Sequence, residues 1–306
     1  MATRIWLGTS SSSYTATGNW ADATVPIDDD DVVISAHAVN AITSNLDQSA
    51  VSLNSFVVED GFNHNIGTTS AMLQILLLGD GPTVFKYAGT GTLARIDLGA
   101  TTLKPEIRNT GTPNAGAYGL ELKGTAMAGI DIYKGNVGIG TTADDTTTEV
   151  DAIRVMYTDA STRASDATVT IGQHVDEVGG NAIHSIVQTG GTVYCKAAVS
   201  TVKVTNGEYH QLDGVYSLGE FKGNSSLFIE NDAAGTIKTT RLWDQSVVQI
   251  LSNFTQTLSS LSMYPGTTWI DEKFVSTYST GIDVLGDTDS VTIKLGPGIS
   301  LAPTAV

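Results

Sequence analysis

Between residues 187 and 269 one pattern recurs: an apolar residue, a turn built on Gly, Asn or Asp, then a second short strand. It reads Val187-Gln188-Thr189-Gly190-Gly191-Thr192-Val193, then Val204-Thr205-Asn206-Gly207-Glu208-Tyr209 and Phe221-Lys222-Gly223-Asn224-Ser225-Ser226-Leu227. Leu242-Trp243-Asp244-Gln245-Ser246-Val247 and Met263-Tyr264-Pro265-Gly266-Thr267-Thr268-Trp269 complete it. The anchors Val187, Val204, Phe221, Leu242 and Met263 repeat at about 17 to 21 residues, the range of a short solenoid coil. The first two intervals are equal, and the last two are equal and longer. A unit this short holds two or three strands and their corners, with no room for a helix. Leucine-rich repeats share the length but need a dense Leu/Asn consensus that is absent here, and a propeller blade needs about 40 residues. The period therefore predicts an all-β chain folded as a right-handed parallel β-helix. An antiparallel β-sandwich or barrel is the alternative, because its turn spacing overlaps. The same turn after the same apolar anchor favours the solenoid, in which identical corners stack.

The pattern divides the chain. Residues 1–35 carry two Trp and a Pro in polar surroundings and read as an N-terminal cap over the open end of the core, which a solenoid needs. Residues 36–276 read as the β-helix, regular over 187–271 and less regular over 53–186, where Thr-rich loops such as Thr141 to Glu149 intervene. Turns such as Gly79-Asp80-Gly81-Pro82 punctuate the strand-like segments. Residues 277–306 read as a closing pair of strands, within Gly281–Gly286 and Ser290–Leu295, then Gly296-Pro297-Gly298 and an apolar tail to Val306. Helical periodicity is hard to find; Asn45 to Ser52 is a short candidate for a turn or two.

Composition limits the partners. Thirty-two Asp and Glu against 16 Lys and Arg give a net charge of −16. Such a field repels a phosphate backbone and anionic lipid, so neither nucleic acid nor a membrane is expected as a partner. The single Cys195 forms no internal disulfide. The N-terminus Met1-Ala2-Thr3-Arg4-Ile5-Trp6 has no apolar signal core, and no run approaches a membrane span, so assembly in the cytoplasm is expected.

Several groups of residues are candidates for chemistry. Asp213 and Glu220, with Glu208, Glu230 and Asp232 on neighbouring coils, form the best carboxylate set for glycoside hydrolysis, and Arg241 could receive an acidic sugar. Acids at solvated corners are the simpler reading, and no enzyme activity is expected. The Asp28 to Asp31 run lacks the alternating ligand spacing of a calcium loop and reads as a solvated turn. His37, His64, His174, His184, His210 and Cys195 have no metal-ligand spacing, and Gly138-Ile139-Gly140 opens no helix. No cofactor or metal is expected. The aromatic residues of the repeating half read mainly as interior ladders; Trp6, Trp20, Trp243, Trp269 and Tyr264 are the candidates for contact with a partner.

One segment carries a resemblance. Ile5-Trp6-Leu7-Gly8, Gly18-Asn19-Trp20, Val25-Pro26 and Asp30-Asp31-Val32-Val33-Ile34 resemble the opening of β-helical phage virion proteins and large bacterial surface proteins. The resemblance covers about a tenth of the chain, and the Gly/Thr-rich coils downstream are similar to the same group. Without a secretion signal, it implies a bacteriophage virion structural protein assembled in the host cytoplasm. The expected role is a homotrimeric capsid decoration or cement protein that stabilises the head, with the major capsid protein or tail components as partners. A tail spike or fibre that binds or degrades host-surface polysaccharide is the alternative.

Overall fold

The computed structural model describes residues 1–78, 85–100, 102–141, 148–157, 166–176, 182–286, 291–296 and 299–301. The Gly79–Pro82 turn, most of the Thr141–Glu149 loop, Pro297-Gly298 and the tail beyond Leu301 lie outside them. The chain winds as a parallel β-helix whose coils add strands alternately to two long sheets around one continuous apolar core. The first sheet runs from Thr3–Trp6 through Asp31–Ile34 and Ser55–Val58 to Gln256–Met263 and, last, Ser276–Tyr278. The second runs from Asp47–Leu53 through Leu73–Leu77 to Thr292–Leu295. Every ladder between coils is parallel, and among the described strands only Ile299–Leu301 pairs antiparallel, on Thr292–Leu295. The antiparallel sandwich is thus not formed.

Alternation of side chains builds the core. In Ala167–Ile171 the buried residues are Ala167, Val169 and Ile171, while both threonines between them are only half-buried. Parallel register then stacks buried residues from coil to coil. One interior column of the first sheet runs Trp6, Ile34, Val58, Tyr87, Ile107, Ile132, Val155, Gln188, Val204, Phe221, Leu242, Met263 and Val284. Rungs about 4.8 Å apart put each member in contact with the next. Each enclosed aliphatic or aromatic side chain contributes roughly 1.5–3 kcal/mol.

This column corrects one anchor of the repeat. Gln188, not Val187, stacks on Val204, so the first interval is shorter than the apolar anchors suggest. Gln188 is fully buried, with Nε2 donating to the carbonyls of Gly191 at 2.7 Å and Glu208 at 3.0 Å. Val187 faces outward in register with Lys203. Periodicity placed the apolar residue inside, whereas two corner carbonyls accept the amide and hold the polar residue there.

The same column shows why the first half looked irregular. From Tyr87 to Ile107 the coil is as short as those downstream, whereas the coil from Val155 to Gln188 is far longer. The extra chain lies between strands, while the rungs stay stacked.

Residues 1–35 supply two rungs as well as the cap. Thr3–Trp6 pairs with Asp31–Ile34 as the first two strands of the first sheet. Trp6, Tyr14 and Trp20 pack over the end of the core with ring centroids 5.1–6.2 Å apart. The loop carrying Asn19 and Trp20 closes the free edge: Leu7 N–H donates to Asn19 O at 2.8 Å, and Ala21 N–H to Ile5 O at 2.9 Å. At the other end, the expected closing pair does not pair with itself. Ile282–Val284 extends the first sheet on Gln256–Met263, and Thr292–Leu295 extends the second on Thr268–Asp271. The candidate helical turn at Asn45–Ser52 falls mostly in the strand Asp47–Leu53, whose register shifts between Gln48 and Ser52.

Candidate functional site

The outer face of the second sheet carries the densest chemistry. One outward column there runs Arg95, Glu121, Gly138, Thr170, Tyr194, His210 and Phe228 on successive coils. Arg95 Nε donates to Glu121 Oε2 at 2.6 Å, and both residues are more than nine-tenths buried. Arg95 Nη1 also donates to the carbonyls of Thr68 and Thr69, at 3.2 and 2.9 Å. The other oxygen of Glu121 accepts from Thr141 Oγ1 at 3.1 Å. The ion pair is therefore satisfied on several sides, as a buried pair must be. Tyr118 lies on Gly138, where an added Cβ would come within 2.6 Å of its ring.

Three cavities follow this face. The first, about 450 Å³, is bounded by Leu46, Asp47, Met72, Gln74, Arg95, Asp97 and Lys123, among others. The second, about 300 Å³, has Tyr118, Thr141, Thr170, Gln173, His174 and Lys196 in its walls, with Gly140 and Gly172. The third, about 310 Å³, places Gln173 and Lys196 opposite Asp213, Glu230 and Asp232, with Leu212.

The structure divides the proposed carboxylate set. Asp213, Glu230 and Asp232 converge on the third cavity. Glu220 sits on the outer face of the first sheet between Lys203 and Arg241, 3.6 Å from each. It cannot share a bond with Asp213, and Arg241 is aligned with Glu220 rather than with a cavity. Glu208 is exposed, with its carboxylate 3.8 Å from His210 Nε2, while His210 Nδ1 is hydrogen-bonded to Glu230. A second ion cluster lies on the first sheet. Burial and Glu106 push the Asp131 carboxyl up to about 6, against the influence of Arg108. The two 2.6 Å hydrogen bonds from Arg154 and the nearby Lys104 favour its charged form.

The Asp28–Asp31 run is a set of corner acceptors rather than a uniformly solvated turn. Asp28 accepts from Ser52 N–H at 2.8 Å, and Asp31 from Asn54 Nδ2 at 2.6 Å and from Ser55 Oγ. Asp30 is 1% exposed and receives Arg4 and two backbone N–H groups. Among the described residues, no group of three or more His, Cys, Asp or Glu side chains is arranged to hold a metal.

Of the aromatic contact candidates, Trp6, Trp20 and Trp269 are enclosed in the core, so an external partner cannot reach them without opening it. Trp243 and Tyr264 are half-buried outside and stack on each other at 5.2 Å, with Lys222 Nζ 4.5 Å from the Trp243 ring centre. Tyr194 lies tilted by 32° on His210, and His210 stacks on Phe228, each pair with ring centres 4.5 Å apart. The sequence reading missed where large apolar side chains do emerge. Met1, Ile5, Ile27 and Val39 are exposed in the first coils, and Leu251, Phe254, Phe274 and Leu285 in the last; between them only Leu78 joins them among the described residues. None of them carries a periodic signal of its own.

Searches against protein-family models, curated proteins and solved structures found no match to this chain.

Proposed function

We propose that this chain is a structural protein of a bacteriophage particle, a decoration or cement protein that acts as a homotrimer and adheres through the ends of its rod. The observation that carries this reading is the concentration of exposed large apolar side chains in the first and last coils. Large apolar side chains left in water are available for contact, and here, among the described residues, all but Leu78 fall in the first and last coils. The stacked core between supplies a stiff spacer, and the acidic surface keeps the free rod soluble. The partners proposed are the major capsid protein or tail components, in particles assembled in the host cytoplasm.

Sedimentation of the purified chain and mass spectrometry of particles test the reading. A trimer, present in proportion to the capsid protein, supports it. A handful of copies per particle favours the tail spike or fibre instead. A monomer that is absent from particles overturns both. Replacing Phe254 and Phe274 by Ser should weaken self-association or particle binding while leaving the unfolding midpoint of the isolated chain unchanged.

A further inference from the structure

We propose that the corner leaving the second-sheet strands, in the later coils of the rod, docks a short basic segment of another protein that also carries apolar residues. The inference deepens the structural reading by naming the chemistry of a partner at that end, and it rests on the last coils being a contact surface. Register defines the corner. Gln211, Ile229 and Ile250 pair rung on rung, and Gln249 pairs with Ile270 on the next coil. The residues that leave these strands are stacked as well: Leu212 and Asp213, then Glu230 to Asp232, Leu251 to Phe254, and Glu272 to Phe274. Hydrogen bonds fasten one turn to the next. Ser252 Oγ donates to Asn231 O at 2.8 Å, Lys273 Nζ to Asn253 Oδ1 at 2.9 Å, and Gln256 N–H to Val275 O at 3.0 Å.

Along this corner the chemistry passes from acidic to apolar. The earlier turns place Asp213, Glu230 and Asp232 around the third cavity, with Lys196 as its one cation. The later turns expose Leu251, Phe254 and Phe274, the last of them 67% exposed. Phe274 is held outward against its own backbone preference. Its φ is +57°, a left-handed conformation that a bulky side chain rarely adopts. The buried carboxylate of Asp271 fixes that turn by accepting from Val275 N–H at 3.2 Å and Ser276 N–H at 2.8 Å. A ring fixed in water in this way is ordered before any partner arrives, which lowers the cost of binding.

Charge complementarity selects the occupant. Three carboxylates around one lysine, on a chain of net charge −16, attract cationic groups and repel a phosphate-bearing surface. A second copy of the chain would bring the same acidic field, which favours a different protein. The dimensions select an extended segment. Four stacked turns span three steps of about 4.8 Å, about 14 Å in all, the length of four or five extended residues at about 3.3 Å each. Lysine or arginine side chains at one end of such a segment meet Asp213, Glu230 and Asp232, and apolar side chains at the other end meet Leu251, Phe254 and Phe274.

Fluorescence anisotropy with the full chain tests this, using labelled hexapeptides that carry two Lys or Arg at one end and two Leu, Phe or Trp at the other. Peptides with Glu in place of the basic residues, or Ser in place of the apolar ones, are the controls. At least one basic and apolar peptide should bind about tenfold more tightly than either of its controls, and more weakly as salt is raised. Asp232→Asn and Phe254→Ser, both at exposed positions, should each weaken that binding about tenfold without moving the thermal midpoint. Phe274→Gly should weaken it as much and leave the midpoint unchanged or higher, because glycine adopts this φ freely. The proposal is overturned if no basic and apolar peptide binds at millimolar concentration, if a control binds equally well, or if the variants bind as the parent does. It is equally overturned if Asp232→Asn and Phe254→Ser dissociate an oligomer of the chain itself, which would make the corner a contact between copies. Sedimentation and copy number are measured without any peptide, so failure here leaves the structural reading standing. A monomer absent from particles would overturn that reading whether or not a peptide binds.

Discussion

Arg4 donates from Nε to Oδ2 of Asp30 at 2.7 Å, tying the first strand of the rod to the corner that leads into the second. The same carboxylate accepts from the backbone of Ala2 at 2.8 Å and of Ile27 at 3.2 Å. It is the polar fastening of the N-terminal cap, beside the apolar one formed by Trp6, Tyr14 and Trp20.

Burial alone would raise the Asp30 pKa, but the hydrogen bonds from Arg4, Ala2 and Ile27 outweigh it and hold the carboxyl below its usual value. A lowered folded value means that this group stabilises the fold above the ordinary aspartate pKa of about 3.9, and that the stabilisation fades as pH falls through the folded value. Asp30→Asn should therefore lower the urea midpoint at neutral pH, read by tryptophan fluorescence. It should also flatten the acid limb of the stability profile. An unchanged acid limb would count against this fastening.

Gln188 donates to two corner carbonyls through Nε2, while its buried Oε1 has no hydrogen-bond partner. Replacing it by Leu loses two hydrogen bonds but also removes an unpaired acceptor, so Gln188→Leu should change stability by no more than about 1 kcal/mol. Gln188→Glu places a charge in the core and should cost about 3 kcal/mol or more. Chemical unfolding of the pair gives the comparison, and equal costs would contradict the geometry.

At Gly207, φ is +101° and an added Cβ would lie 2.3 Å from Gly191 O on the coil beneath. Gly116 has φ of +78° with nothing within 4 Å. Gly116→Ala should cost only the backbone strain, about 1 kcal/mol, whereas Gly207→Ala adds a clash between stacked corners and should cost about 3 kcal/mol. Denaturant midpoints of the two variants measure the difference.

Cys195 is fully enclosed, and burial pushes its thiol up to about 11. With the thiolate suppressed and access closed, iodoacetamide should leave native protein unlabelled at about pH 8 and label it fully in urea. Appreciable native labelling would show that the coil holding Cys195 opens locally.

The strand pattern of Ala167–Ile171 and the recurring corner after Phe221, Leu242 and Met263 were legible because both follow from local chemistry. Alternation separates the two faces of a strand, and Gly or Asn marks the tight turns between strands. Where corners are short, as between Val204 and Phe221, stacking appears directly as a sequence period. Between Val155 and Gln188 a long stretch of chain separates adjacent rungs, and the same stacking leaves no period to read. The cavities beside the second sheet were illegible for a related reason. Glu121 meets Arg95 and Thr141 from distant parts of the sequence, by way of coils of unequal length.

The sequence by itself determined the class of the fold: many short strands, turn residues between them, and a unit too short for helices. Tertiary structure decided which faces the residues occupy in common. Asp213 and Glu220 are close in sequence, yet one lines a cavity near the second sheet while the other is paired between cations on the first. Sequence distance fixes only how far the chain can reach, whereas neighbours in a solenoid are set by coil-to-coil register, which depends on the length of every intervening corner.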